Sequence, residues 1–66
     1  MTLEEVIAEV ESIKACAADD ERAHSMEDAL YGALLSAIAE GRCVDPAACA
    51  KAALATQKIS FARWCA

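Results

Sequence analysis

Sixty-six residues with a formal net charge of −5 and a pI of about 4.6 make a single domain, 1–66, near the lower size limit for a chain that folds alone. The acidic balance argues against nucleic acid as the partner, because phosphate-binding domains carry a basic patch. No apolar run approaches the length of a membrane span, which argues against a membrane partner.

The charge is unevenly spread. Nine of the eleven acids fall in residues 1–28, against Lys14 and Arg22 alone. Residues 29–66 hold Glu40 and Asp45 against Arg42, Lys51, Lys58 and Arg63. In a chain without a motif for chemistry, such polarity is the best indication of its partner. Much of the 58% hydrophobic content is alanine, so the core of a monomer is thin and self-association, most simply as a homodimer, is expected.

Abundant alanine, two glycines and one proline predict an all-α fold. The first helix is expected over 3–17. Thr2 and Glu5 have the spacing of a capping box, and Leu3, Val6, Ile7, Val10, Ile13 and Ala17 recur at helical steps on one face. A second helix is expected from about 20 to 40, with Asp19 or Asp20 as N-cap and Gly41 as a left-handed C-cap. Its apolar stripe is Met26, Leu30, Ala33, Leu34, Ala37 and Ile38, widened by Tyr31 and Leu35 beyond what one neighbouring helix covers.

Asp45-Pro46 starts a shorter third helix, which runs to about Gln57. Val44 before the cap and Cys49 after it have the spacing of a hydrophobic staple. Ser60 is placed to cap a last helical turn in the tail. Phe61 and Trp64 there either lock the chain end onto the core or anchor a partner. The architecture expected is a small three-helix domain: an antiparallel hairpin, a shorter third helix across it and a short helical C-terminal tail.

Cys16, Cys43, Cys49 and Cys65 include no C-x-x-C pair, and no secretory signal precedes them. They are expected to be reduced and packed as small apolar groups in a cytoplasmic setting, with a Cys43–Cys49 or other bridge, or a metal role, as the alternatives. Glu21 and His24 have the E-x-x-H spacing of a carboxylate-bundle metal pair, but such sites need further ligands that one chain does not supply. Asp28 offers His24 a simpler surface partner. Glu4, Glu5, Glu9, Glu27 and Asp28 are read as a solvated acidic face. With one histidine and no glycine-rich phosphate loop, the expectation is a non-enzymatic protein without cofactor or metal.

The stretches Ala23-His24, Glu27-Asp28, Leu30-Tyr31 and Ile59-Ser60-Phe61-Ala62-Arg63-Trp64-Cys65-Ala66, with the acidic opening helix, resemble a family of small uncharacterised helical proteins encoded by temperate tailed phages and prophages. Phe-Ala-Arg-Trp-Cys-Ala is the most specific part, and Ser60 stands where that family usually has an acid. The resemblance implies an accessory protein in the host cytoplasm that binds and modulates or inhibits a host protein. It carries over no catalytic residues. On this reading Glu4, Glu5, Glu9, Glu11, Asp19, Asp20 and Glu21 steer the encounter, and Tyr31, Leu35 and Trp64 form its apolar anchor. The rival readings are a small DNA-binding regulator using Lys51, Lys58 and Arg63, and a metal-dependent helical hydrolase.

Overall fold

The computed structural model describes residues 1–63, so the expectation that Trp64 anchors a partner lies outside the described residues. Three helices are present: α1 Leu3–Ala15, α2 Asp20–Ala39 and α3 Pro46–Leu54, the last continued by a 3-10 turn, Ala55–Lys58. The expected all-α three-helix domain is what forms. Among the described residues, no helix is long and apolar enough to cross a membrane.

Each helix starts where a local signal places it. Thr2 Oγ1 accepts from Glu5 N at 3.2 Å, and Glu5 Oε1 accepts from Thr2 N at 3.1 Å, completing the capping box. Asp19 Oδ1 accepts from Arg22 N at 3.1 Å at the head of α2. Asp45 does the same for Ala48 N at 3.3 Å, with Pro46 in the first helical position. Asp45 performs this at φ 55, a left-handed conformation that aspartate tolerates better than most residues.

The end of α2 is a Schellman closure. Gly41, at φ 72, donates to Ile38 O at 3.1 Å, and Arg42 N donates to Ala37 O at 2.8 Å. The main chain of Met1 then ties to the α2–α3 connection. Met1 N donates to Arg42 O at 2.7 Å, and Val44 N donates to Met1 O at 3.0 Å.

α1 packs against both other helices, and the core lies among all three. Val6 and Ile13 from α1, Leu30 and Leu34 from α2, and Cys49 and Ala53 from α3 form its centre, with Phe61 and Ile59 packed on from the tail. Several expected core positions differ. Ile7 is 46% exposed, because the buried line of α1 runs through 6 and 13 and leaves position 7 on its flank. Ala33 faces out, while the buried line of α2 is Ala23, Glu27, Leu30, Leu34 and Ala37. Val44 is exposed rather than stapled, and its carbonyl accepts from the Cys49 thiol. The final helical turn falls at Ala55–Lys58, ahead of Ser60, and residues 60–63 carry no regular structure.

Candidate functional site

Glu27 occupies a core position on α2, where sequence patterning placed a solvated carboxylate. It is 4% exposed, and an unpaired charge there would be costly. Arg63 removes the difficulty. Its Nε donates to Glu27 Oε1 at 2.9 Å, and one terminal nitrogen donates to Oε2 at 3.1 Å. The same nitrogen also donates to Thr56 O at 2.7 Å and Ile59 O at 3.0 Å, and the other donates to Phe61 O at 3.3 Å. The guanidinium carbon sits 3.8 Å from the centre of the Phe61 ring.

Burial alone would raise the Glu27 carboxyl, but hydrogen bonds from Arg63 and Thr56 and the Arg63 charge outweigh it and hold the group below the usual range. The same pairing pushes the Arg63 guanidinium up. Thr56 is fully buried, and its hydroxyl is hydrogen-bonded to Tyr31 OH. Ala62 N donates to Asp20 Oδ1 at 3.1 Å. These contacts fasten residues 59–63 across the N-terminal half of α2. They also engage Arg63, one of the three cations that a DNA-binding reading would set against phosphates.

Beside this polar lock lies an apolar groove between α2 and α3. Tyr31, Leu34 and Leu35 form one wall, Ala50, Ala53 and Leu54 the other, around a volume of about 250 Å³. Leu35 is 66% exposed and Leu54 52%. Alanine on α3 is the reason the groove exists, because methyl side chains at 50 and 53 leave a trough beside the larger α2 residues. Tyr31 contributes its ring to the wall while its hydroxyl is turned to Thr56. Of the expected anchors, Leu35 and Tyr31 are therefore brought together. Leu54, which is not among the expected anchors, joins them.

The expected steering residues Glu4, Glu5, Glu9, Glu11, Asp19, Asp20 and Glu21 are all exposed. Three of them also hold the fold: Glu5 in the capping box, Asp19 as N-cap and Asp20 on the tail. Glu11 borders a second hollow of about 410 Å³ with Lys14, Lys58 and Ile59. His24 meets Asp28 at 3.6 Å, one helical turn on. Among the described residues, no three His, Cys, Asp or Glu side chains gather as a metal-binding group.

Comparison of the chain with protein-family models, curated proteins and solved structures finds no match.

Proposed function

We propose that this chain is a non-enzymatic protein-binding module whose α2–α3 groove seats an apolar side chain of a basic protein surface. The observation that carries the reading is the groove itself: two exposed leucines, Leu35 and Leu54, over an alanine floor on firmly capped helices. A rigid apolar trough is a suitable receptor for a protruding anchor residue, since little order is lost on binding. The acids concentrated in residues 1–28 supply the complementary term. They raise the encounter rate with a positively charged partner and disfavour acidic ones.

The resemblance to small phage and prophage proteins directs this reading to a host protein in the bacterial cytoplasm, bound so as to modulate or inhibit it. A second copy of the chain is the other occupant the groove admits, which would make the protein a homodimer. DNA is a poorer fit, given the acidic surface and the engagement of Arg63 with Glu27.

The test is capture of host proteins by the N-terminally tagged chain at low and moderate salt, beside a mass determination of the chain alone in solution. The reading expects one basic partner, released as salt rises because exposed charges are screened within about 10 Å at 0.1 M. Stable self-association that occludes the groove, or recovery of nucleic acid in place of protein, would overturn it.

A further inference from the structure

Cys43 and Cys49 flank the N-terminus of α3, and their sulfurs converge on a single atom. Cys49 Sγ lies 3.3 Å from the carbonyl oxygen of Val44, and Cys43 Sγ lies 3.9 Å from the same oxygen. Both are free thiols, Cys49 buried and Cys43 half-buried. Burial, and after it the neighbouring Cys43, push the Cys49 thiol up, which keeps Cys49 protonated near neutrality.

The backbone around the pair is held on both sides. The Schellman closure at Gly41 precedes Cys43, Val44 N is bonded to Met1 O, and Cys49 N donates to Asp45 O at 3.1 Å. Cys16 sits at the other end of α1 from Met1, about 20 Å away at 1.5 Å per helical residue. It is too far to compete within the folded chain.

We propose that Cys43 and Cys49 form a dithiol modification site at the α2–α3 junction, which hydrogen peroxide converts to an intramolecular disulfide. Cys43, the more accessible sulfur, attacks as thiolate on one peroxide oxygen. The O–O bond breaks, Cys43 becomes a sulfenic acid, and the departing hydroxide takes up a proton to become water. Cys49 sulfur then displaces hydroxide from the Cys43 sulfur, and its own proton leaves with that hydroxide as a second water. Two thiols lose two electrons and two protons, and one peroxide becomes two waters. The product clasps the α2–α3 connection to the first turn of α3, the helix that carries Ala50, Ala53 and Leu54 of the groove.

Peptide mapping tests this on the intact reduced chain. After treatment with a small excess of peroxide, the chain is unfolded, alkylated and digested with trypsin. Cleavage after Arg42 and Lys51 puts both cysteines on one peptide, 43–51. The expected result is that this peptide loses two hydrogens and escapes alkylation while Cys16 remains alkylated. Cys43→Ser, whose folding is checked by circular dichroism, should leave Cys49 fully alkylated under the same treatment. Alkylation of both Cys43 and Cys49 at doses that oxidise Cys16, or accumulation of Cys43 as sulfinic acid with Cys49 still reduced, would overturn the proposal.

Discussion

Arg63 closes on Glu27 across 36 residues of sequence through two hydrogen bonds of 2.9 and 3.1 Å, one to each carboxylate oxygen. The pair turns what would be a defect in the core into the fastening of the chain's last described segment. Breaking it from either side is not equivalent. Glu27→Ala removes charge-assisted hydrogen bonds and should cost about 2 kcal/mol, with Arg63 still donating to the carbonyls of Thr56, Ile59 and Phe61. Arg63→Ala leaves a carboxylate buried without its partner and should lower the urea midpoint further. Replacing both by apolar residues, as in Glu27→Leu with Arg63→Met, should recover most of the loss.

The same pair sets an acid limb. The Glu27 carboxyl is lowered in the folded chain, so its contribution is present above the unfolded glutamate value of about 4.3 and disappears as pH falls through the folded value. Melting temperature should therefore drop on the acid side of that range. Glu27→Gln should flatten the drop, which a pH series of thermal melts would show. The raised Arg63 guanidinium contributes fully at neutral pH and is lost only at strongly alkaline pH.

Asp45 serves as N-cap while holding a left-handed backbone at φ 55. Asp45→Ala loses the cap and strains the backbone, and should cost about 2 kcal/mol by urea denaturation. Asp45→Asn should be nearly neutral. Asp45→Gly should fall between them, because it relieves the backbone but leaves Ala48 N without its side-chain acceptor.

Tyr31 has two roles that one substitution separates. Tyr31→Phe removes the hydroxyl that meets Thr56, and should destabilise the chain by about 1 kcal/mol. It keeps the ring in the groove wall, so partner binding should persist, as measured by capture of the same protein from lysate.

The helices were legible because their boundaries depend on neighbouring residues. Thr2 with Glu5, Asp19, Gly41 and Asp45-Pro46 are signals a few residues long, and the structure uses each of them. What periodicity missed depends on distant partners. Glu27 reads as polar and therefore solvated, and only the return of Arg63 makes its burial tolerable. Its place on the line Ala23, Glu27, Leu30, Leu34, Ala37 was the available signal. Tyr31 and Leu35 stood out as surplus to one helix contact. Leu54 did not, because its exposure follows from how α3 lies on α2 and not from its own surroundings in the chain.

The proposed role of the groove is tested by the paired substitution Leu35→Asp with Leu54→Asp in capture of the proposed partner protein. Both side chains are more than half exposed, so each change should alter folding stability by no more than about 0.5 kcal/mol. The double variant should fold, with an unchanged circular dichroism melt, and no longer retain the protein bound by the unmodified chain. Equal retention of that protein by the folded double variant would contradict the proposed role.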